Sequence, residues 1–463
     1  MKQNIPRIMI AGTNSGCGKT TIVCGILSAL KQLHVDSASC KCGPDYIDPM
    51  FHSLVFDIPS QNLDLFFTSK DQTRYLLVKN SKGKDITVME GVMGFYDGMQ
   101  MDSTLASSYE LAKVTDTPVV LVVNCRGMAL SVVPMIKGFL EFQKDHTIQG
   151  VILNGVSQMT GKQLKEMIEK QLPVKVYGCI PKREEFSLAS RHLGLVTPHE
   201  LSDICKDVKA LGQMMQEYVD IKGLLQLAHR APDLEDRVPK EWGEYLSSRP
   251  GQGLTLGIAF DPAFCFYYKD NLELLQALGC KIAKFSPLKD QEIPKEVDGI
   301  LLGGGYPEIY AKQLSENFSM RRDMKRRLEQ GLFCMAECGG FMYLHERLED
   351  DKGVMYPMVG LVEGECTNQR KLVRFGYVDV KSRRENCFLK KGESIKAHEF
   401  HYWDSTNNGD GFLAEKPSKK RQWECCHIKN GVIGYPHFYY YSNLKFVVRM
   451  LEQMKTKDEN KFQ

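Results

Sequence analysis

A glycine-rich loop near the start of the chain has the residue types needed to hold phosphate groups. The stretch "AGTNSGCGKTT" (11–21) follows an apolar run and precedes a helical pattern, which is the setting of a phosphate-binding loop. Its backbone N–H groups can surround phosphate oxygens, Lys19 can reach the outer phosphates, and the Thr20 hydroxyl can bind Mg²⁺. Thr13 replaces the usual first glycine, and Gly12 stands one residue earlier. We therefore predict a nucleoside triphosphate site; a plain glycine turn before a helix is the alternative.

A second candidate centre is built around one cysteine. In "MAECGGFMYL" (335–344), Cys338 lies where a predicted strand meets a predicted helix, and such a turn can activate a thiol nucleophile. The N–H of Gly339 can stabilise an oxyanion there. Gly304 and Gly305, in the upstream "GGGYPE", can supply a second donor. Nucleophilic catalysis at this cysteine is therefore one interpretation of the pattern.

A cysteine nucleophile also needs a base, and "GYPHFYY" (434–440) offers His437 near the end of a late strand. Each residue has an ordinary alternative interpretation. A cysteine in an apolar strand is usually part of the core, and a lone histidine among aromatic residues is usually structural. On these residues alone both interpretations stay open.

Four carboxylates lie where strands are predicted to end. Glu90 closes an apolar strand, Asp97 lies in the glycine-rich turn after it, and Asp45 and Asp48 follow another short strand. In a parallel sheet the carboxyl ends of the strands face the ligand crevice, so Glu90 should point toward nucleotide phosphates. A divalent cation bridging phosphates needs oxygen ligands of this kind. Asp45 and Asp48 are equally well explained as turn formers beside prolines.

These residues must be positioned by an alternation of short apolar runs and helical patterns. Such alternation predicts parallel sheets covered by helices. "KTTIVCGILSALKQL" (19–33) shows helical spacing of its apolar residues. In the second half we predict a helix over "GGFMYLHERL" (339–348) and a β-rich tail. The clearest strand predictions in the first half are 7–12, 118–124, 150–156 and 175–180.

The chain is long enough for two domains, because single cores seldom grow to 463 residues. Polarity rises and periodicity fades after residue 229, and a second βα pattern starts near residue 254. We predict an α/β protein with a parallel-sheet phosphate-loop domain at 1–230, a linker at 231–253 and a second α/β domain at 254–463.

Composition limits the possible partners. With 43% hydrophobic residues, 25% charged residues and a net charge of +3, the chain predicts a globular protein without the basic character of a nucleic-acid binder. The apolar run at the start is too short for a signal peptide, and no run suggests a membrane span, so we expect a cytoplasmic protein. The 15 cysteines show no zinc or disulfide pattern.

The motifs taken together resemble the cobyrinic acid a,c-diamide synthases, ATP-dependent glutamine amidotransferases of corrinoid biosynthesis. The phosphate loop, with its shifted glycine, is similar to that of the dethiobiotin synthetase and partition-type ATPase group. The resemblance covers nearly the full length, and its order and spacing are specific. The motifs that carry it are "GTNSGCGKTT", "GPDYIDPMFH", "QNLD", "MEGVMGFYDG", "SRHLGLVTP", "DPAFCFYYKDNLELL", "FSPLKD", "LLGGGYPE", "AECGGFMYL", "HEFHYW" and "GYPHF".

The resemblance implies an N-terminal ATPase domain of the dethiobiotin synthetase kind and a C-terminal class I glutaminase domain. It implies Cys338 as nucleophile and His437 as base for releasing ammonia from glutamine. The other domain would use ATP and Mg²⁺ to convert a carboxylate of the corrinoid into an acyl phosphate, which ammonia then turns into an amide. The implied substrates are therefore the corrinoid macrocycle, glutamine and ATP, with neither nucleic acid nor membrane as partner.

Site roles follow residue by residue from the matching motifs. Thr20, Asp45 and Glu90 are expected to organise Mg²⁺, while Asp48 and Asp97 would border the macrocycle. Asn154 resembles an adenine-contacting residue, although a turn-forming asparagine fits equally well. The residues expected to bind nucleotide are Asn14, Gly16, Cys17, Gly18, Lys19, Thr20, Thr21 and Asn154, and those expected to form the oxyanion hole are Gly304, Gly305 and Gly339.

Three points stay open at this stage. Many class I glutaminases carry a glutamate two residues after the base, but Tyr439 stands there, so the group that orients His437 is not identified. No role follows for His192, His398 or His401. The rival functions are those of cobyric acid synthase and nickel-sirohydrochlorin a,c-diamide synthase, and a partition-type ATPase is the alternative of another class.

Overall fold

The computed structural model describes residues 2–181, 198–235 and 237–459. The chain divides into two units, Met1–Pro239 and Lys240–Gln463. This division falls inside the segment predicted as a linker, 231–253. That segment contains a short strand, Leu234–Glu235, and a helix, Lys240–Ser248.

The first unit is organised around a parallel sheet. Its strands are β1 Lys2–Gln3, β2 Arg7–Gly12, β3 Ser37–Cys42, β4 Ser60–Leu63, β5 Ile86–Glu90, β6 Val119–Asn124, β7 Ile148–Asn154, β8 Lys175–Ile180 and β9 Leu234–Glu235. Its helices are α1 Lys19–Gln32, α2 Ile47–Phe56, α3 Lys70–Ser81, α4 Ser108–Val114, α5 Val132–Phe142, α6 Gln158–Gln171, α7 Pro198–Tyr218 and α8 Ile221–His229.

Seven of these strands form one sheet in the order β4-β3-β5-β2-β6-β7-β8. Every pairing in it is parallel, so all carboxyl ends lie at one edge. The interior strands are buried on both faces, which explains their nearly continuous apolar character. Helix α1 buries Ile22, Ile26 and Leu30 against this sheet at the spacing that the sequence predicted. The four clearest strand predictions correspond to β2, β6, β7 and β8.

The second unit continues the numbering. Its strands are β10 Thr255–Ala259, β11 Lys281–Phe285, β12 Gly299–Leu302, β13 Phe333–Glu337, β14 His345–Glu349, β15 Met355–Pro357, β16 Val362–Asn368, β17 Arg374–Lys381, β18 Ser394–His401, β19 Trp403–Ser405, β20 Phe412–Glu415, β21 Gln422–Cys425, β22 His427–Lys429, β23 Gly431–Gly434 and β24 His437–Phe438. Its helices are α9 Lys240–Ser248, α10 Lys269–Ala277, α11 Ala311–Glu316, α12 Phe318–Glu329, α13 Gly339–Leu344 and α14 Leu444–Glu459.

The described residues of this unit form three sheets. The central one has the order β11-β10-β12-β13-β23-β22 and is parallel except at β22. The β-rich tail forms an antiparallel sheet, β21-β20-β17-β18-β24, and a smaller sheet, β15-β14-β16-β19. The parallel sheets of both units confirm the predicted α/β class.

One predicted helix is shorter than expected. The spacing suggested a helix over 339–348, but α13 ends at Leu344 and His345–Glu349 form strand β14. Strand β14 pairs with β15 and β16, and these long-range pairings win over the local helical pattern. The short α13 still places its N-terminus directly after β13.

Candidate functional site

The predicted phosphate loop lies between β2 and α1. Helix α1 begins at Lys19, and Gly18 precedes it with φ of 100°. A Cβ on Gly18 would lie 2.4 Å from the Nδ2 atom of Asn154, so this position needs glycine. Asn154 itself donates a hydrogen bond to the carbonyl of Cys17 over 2.8 Å. The structure thus brings the end of β7 against the loop, while Asn14 and Gly16 are exposed at its rim.

Lys19 is nearly buried and joins the loop to the segment that follows β5. Its Nζ atom donates to the carbonyl oxygens of Met93 over 2.6 Å and of Asn14 over 3.2 Å. Burial lowers the pKa of the Lys19 ammonium. The lysine is therefore held at the mouth of the loop, where phosphate oxygens would offer a negative partner.

A cluster of charged side chains lies at the carboxyl ends of β3 and β5. The Thr20 hydroxyl donates to Glu90 Oε1 over 2.6 Å, which brings two of the predicted metal ligands together. Lys41 lies opposite Glu90 in the pairing of β3 with β5, and its Nζ atom is 2.7 Å from Glu90 Oε1 and 2.5 Å from Asp48 Oδ2. Burial alone would lower the pKa of Lys41, but Glu90, Asp48 and Asp45 raise it. The lysine therefore stays protonated as an internal counterion.

Sequence reasoning missed Lys41. A lysine inside the buried strand "SASCKC" was the available signal, because lysine is almost never buried without a partner. The lysine changes the interpretation of the carboxylates around it. Asp48 was predicted to border the macrocycle, but it is only 7% exposed and its carboxylate is committed to Lys41.

Asp45 and Asp97 shape turns. Asp45 Oδ1 accepts hydrogen bonds from the N–H groups of Ile47 and Asp48 at the start of α2, and its Oδ2 is 3.9 Å from Lys41. The turn-forming interpretation of Asp45 therefore holds for one oxygen. Asp97 is exposed and accepts a hydrogen bond from the Gly94 N–H over 2.7 Å.

Part of this cluster fits a hard cation. Glu90 is fully buried, and its Oε2 atom has no hydrogen-bond partner among the residues that the structure describes. Burial raises the pKa of this carboxylate, although Lys41 opposes the shift. Across the same described ranges, no group of three His, Cys, Asp or Glu side chains is arranged to hold a metal. A Mg²⁺ ion would thus take Glu90 and Thr20 together with phosphate oxygens and water, which is its usual coordination at nucleotide sites.

In the second unit, Cys338 lies on a sharp turn between β13 and α13. Its φ of 47° is in the left-handed region, which non-glycine residues seldom adopt outside functional turns. The Cys338 N–H donates to the carbonyl of Gly434 on β23 over 2.9 Å. Cys338, which is buried, therefore lies at the carboxyl edge of the central sheet, on the strand-to-helix turn that the sequence predicted.

The predicted oxyanion glycines surround this turn. A Cβ on Gly339 would lie 3.1 Å from the Gly305 backbone nitrogen, so these two N–H groups are close together. The Gly339 N–H is the first of its helix and has no intrahelical acceptor. A Cβ on Gly304 would lie 2.4 Å from the His437 ring. The absence of side chains at these glycines thus lets backbone, histidine and cysteine turn pack closely together.

His437 opens the short strand β24 and is buried. Burial alone would lower its pKa, but the neighbouring Cys338 and Glu337 side chains raise the pKa of His437 to about 9. Glu337 Oε2 lies 3.6 Å from His437 Nδ1. The hydroxyl of Tyr439 instead donates to Asp270 Oδ2 over 3.2 Å. The carboxylate beside the imidazole therefore comes from the residue before the nucleophile, which sequence reasoning missed.

Asn271 on α10 is a second residue that the sequence did not single out. Its side-chain amide donates to the Phe438 carbonyl over 2.7 Å and accepts from the Tyr440 N–H over 2.8 Å. These bonds fix the backbone on the carboxyl side of His437. A buried asparagine within the motif "KDNLELL" was the signal.

Two of the histidines for which the sequence implied no role, His398 and His401, pack against other residues of the second unit. His398 lies opposite His437 in the pairing of β18 with β24. His401 stacks on Tyr435 with ring centroids 3.8 Å apart. Burial lowers the pKa of His398 to about 3 and that of His401 to about 4, so both are neutral at physiological pH. His192 lies outside the described residues.

Within the part of the chain that the structure describes, no helix is both long enough and apolar enough to cross a membrane.

Comparison with known proteins identifies two domains. Residues 8–196 match the CobQ/CobB/MinD/ParA nucleotide binding domain, and residues 255–444 match the CobB/CobQ-like glutamine amidotransferase domain. These matches confirm the predicted order of a phosphate-loop unit followed by a glutamine amidotransferase unit.

Full-length relatives narrow the family further. The cobyrinate a,c-diamide synthase of Caldanaerobacter subterraneus subsp. tengcongensis is 40% identical over 452 residues, which cover 96% of this chain and 97% of the relative. The enzyme of the same name from Priestia megaterium is 36% identical, with 97% of each chain covered. That of Clostridium tetani is 38% identical over 96% of this chain and 99% of its own. The chain therefore belongs to the cobyrinate a,c-diamide synthase family, and it carries a nucleotide-binding domain and a glutamine amidotransferase domain.

Proposed function

We propose that this protein amidates the a and c acetate carboxylates of cobyrinate, with ATP to activate the carboxylate and glutamine to supply nitrogen. The observation that carries the proposal is the presence of two centres in one chain. One is a phosphate loop with Lys19 and Thr20 beside Glu90. The other is the turn at Cys338, near His437 and Gly304, where a Cβ on Gly304 would lie 2.4 Å from the histidine ring. The names of the full-length relatives supply the substrate.

The first unit would activate the carboxylate. A carboxylate oxygen of the substrate attacks the γ-phosphorus of ATP, the bond from that phosphorus to the β-phosphate oxygen breaks, and an acyl phosphate and ADP result. Lys19 leaves the carbonyls of Met93 and Asn14 to pair with phosphate oxygens. Ammonia then attacks the acyl carbon, inorganic phosphate departs, and the amide remains. The sequence of steps is repeated on the second acetate.

Glu90, Thr20 and Asp45 are our candidates for holding Mg²⁺. The bound ion would neutralise phosphate charge during transfer. The partnerless Oε2 of Glu90 supports this assignment most directly, while the one-third exposed Asp45 is better placed to act through water. Lys41 opposes the rise that burial causes in the pKa of Glu90 and of Asp45, and it lowers the pKa of Asp48.

The segment after β5 would make most of the contacts with the macrocycle. Asp97 is exposed there and remains our candidate for direct contact. Asp48 is buried against Lys41, so we propose that it acts at this border by fixing Lys41 rather than by touching substrate. Asn154 supports the phosphate loop, and we propose that the same residue borders the adenine.

The second unit would release ammonia. The Cys338 thiolate attacks the side-chain amide carbon of glutamine, and the Gly339 and Gly305 N–H groups stabilise the oxyanion. His437 protonates the leaving nitrogen as the C–N bond breaks. It then takes a proton from the water that hydrolyses the thioester to glutamate.

The test uses glutamine labelled with ¹⁵N in the side-chain amide. The protein is incubated with ATP, Mg²⁺ and either cobyrinic acid or nickel-sirohydrochlorin, and ¹⁵N in the product is followed by mass spectrometry. We expect two labelled amides on cobyrinic acid. Label only on the nickel compound would reassign the substrate, and ATP hydrolysis indifferent to glutamine and corrinoid would favour a partition-type ATPase.

A cysteine variant separates the two centres. Cys338→Ala should abolish incorporation from glutamine and leave amidation from ammonium salts within about twofold of wild type, because only the nucleophile is lost. Loss of the ammonia-dependent reaction as well would show that the proposed division of labour is wrong.

A further inference from the structure

We propose that Glu337, the residue immediately before the nucleophile, is the positioning residue that orients His437 in the glutaminase centre. It would replace the carboxylate that many class I glutaminases place two residues after the base. The inference rests on the glutaminase half of the proposed function.

The geometry places one carboxylate against both the ring and the backbone of the histidine segment. Glu337 Oε2 is 3.6 Å from His437 Nδ1, and Glu337 Oε1 accepts a hydrogen bond from the Phe438 N–H over 3.3 Å. The first distance is longer than an established hydrogen bond, and catalytic hydrogen bonds commonly shorten when substrate binds. The side chains of His437 and Glu337 are 4% and 7% exposed, so water screens this pair little.

The arrangement follows from the central sheet. Glu337 ends β13 and lies opposite Gly434 of β23 in the parallel pairing. The chain leaving β23 passes through Pro436 and reaches His437, so its imidazole returns to the end of β13. Glu337 lies immediately before the turn, and Cys338 lies on it. Both side chains can therefore approach the same histidine, His437.

The other candidates are already engaged. Tyr439 lies where the usual carboxylate would be, but its hydroxyl donates to Asp270. Asp270 thus pairs with the tyrosine. His398 across β18 and the nearby His401 are neutral, since burial lowers the pKa of each to about 4 or below.

Several of the titratable groups around Glu337 are neutral. The titratable groups that pack around it include Cys426, Tyr267 and Tyr440, and burial raises the pKa of each well above its usual range. These groups are therefore neutral at physiological pH. Besides the thiol, Glu337 is thus the group among those named that can supply negative charge to the His437 imidazolium.

The test compares three variants by their release of glutamate from glutamine, an assay that needs no corrinoid product. Glu337→Gln keeps a hydrogen-bond acceptor for the Phe438 N–H but removes the negative charge. It therefore distinguishes support of the backbone, which the variant retains, from orientation of the imidazole, which it loses. We expect kcat to fall about 10²- to 10⁴-fold, as when a histidine base loses its orienting carboxylate, with KM for glutamine within about threefold. Glu337→Asp keeps the charge on a shorter side chain and should recover part of kcat. Tyr439→Phe is the matched control and should retain wild-type kcat.

The pH profile supplies a readout that a purely structural role would leave unchanged. Glutamine hydrolysis needs the imidazolium as acid, so activity should be lost as pH rises through the pKa of His437, which is about 9. Removing the negative charge lowers that pKa, so Glu337→Gln should move the alkaline limb to lower pH. Glu337→Asp should leave the limb near its wild-type position.

Each outcome bears on the proposal. Wild-type kcat and an unshifted alkaline limb in Glu337→Gln would overturn it, as would a loss in Tyr439→Phe equal to that in Glu337→Gln. If Glu337→Gln fails to fold, Glu337→Asp decides: reduced kcat with an unshifted limb supports the proposal, and unchanged kcat refutes it. If the wild-type protein hydrolyses glutamine but labels no corrinoid, only the synthetase assignment is rejected. If the wild-type protein releases no glutamate, the proposed function and the role of Glu337 are both rejected.

Discussion

Replacing Lys41 by methionine should destabilise the first unit strongly. The substitution keeps the length and the apolar stem of the side chain but removes its charge. In the wild-type protein this ammonium lies 2.5 Å from Asp48, 2.7 Å from Glu90 and 3.9 Å from Asp45. The change therefore tests whether one buried cation holds three carboxylates together.

The expected size follows from burial. The side chains of Lys41, Asp48 and Glu90 are 7%, 10% and 1% exposed, so loss of the ammonium leaves two carboxylates buried without compensation. Removing one partner of such a pair usually costs about 3–5 kcal/mol. Protonation relieves the remaining repulsion, so the free energy of unfolding of Lys41→Met should approach that of wild type as pH falls toward about 5.

The assay must report on the first unit alone. All three tryptophans, Trp242, Trp403 and Trp423, belong to the second unit, so their fluorescence would not follow this change. Hydrogen exchange of peptides from β3 and β5, read by mass spectrometry at about pH 5 and about pH 8, gives the opening free energy locally. Lys84→Met is the matched control. Lys84 pairs with Asp36 at the surface over 2.9 Å, and exposed pairs are worth at most about 1 kcal/mol.

Magnesium adds a second arm. If a divalent cation binds beside Glu90, millimolar MgCl₂ should slow exchange in Lys41→Met more than in wild type, because the ion replaces the missing positive charge. A loss of less than about 1 kcal/mol at high pH, equal to that of the Lys84 control, would refute the view that Lys41 compensates these carboxylates.

Two further predictions concern the second unit. Burial raises the pKa of the fully buried Glu399 to about 7, so its contribution to stability is present at low pH and is lost as pH rises through about 7. Glu399→Gln should therefore match wild type near pH 4 and exceed it by on the order of 2–3 kcal/mol near pH 8 in urea titrations followed by tryptophan fluorescence; equal stabilities at both pH values would refute this. Gly304→Ala should push the His437 ring away from Cys338, because the added Cβ would lie 2.4 Å from that ring, and should lower glutamate release at least tenfold without affecting ammonia-dependent amidation. Gly243→Ala, where a Cβ meets nothing within 4 Å, is the control and should be silent in the same assays.

The sequence predicted those parts of the sites that depend on local order along the chain. The phosphate loop between β2 and α1 and the turn at Cys338 are each a strand, a glycine-containing turn and a helix in succession, so a short window of residues contains the whole device. The strands at 7–12 and 118–124 were recognisable for the same reason, since a run buried on both faces is apolar throughout.

What the sequence did not predict depends on pairing between distant strands. Lys41 meets Glu90 only because β3 and β5 are neighbours in register, and Glu337 meets His437 only because β23 lies beside β13. Nothing in either local window specifies that neighbour. The helix expected over 339–348 failed for the same reason, because partners elsewhere in the chain turned its second half into β14.

One feature of the local sequence could nevertheless have identified both residues that sequence reasoning missed. Lys41 and Glu337 are charged residues in strands whose other members are buried, and a charge in such a strand implies a partner because burying it alone is prohibitive. The sign of the charge then indicates what the partner must be. A buried lysine beside a phosphate loop requires carboxylates, and a buried glutamate beside a candidate nucleophile requires a proton carrier such as histidine. In this chain, a charged residue inside a buried strand therefore indicates its functional partner. It does so more directly than the residue type found two positions after the base.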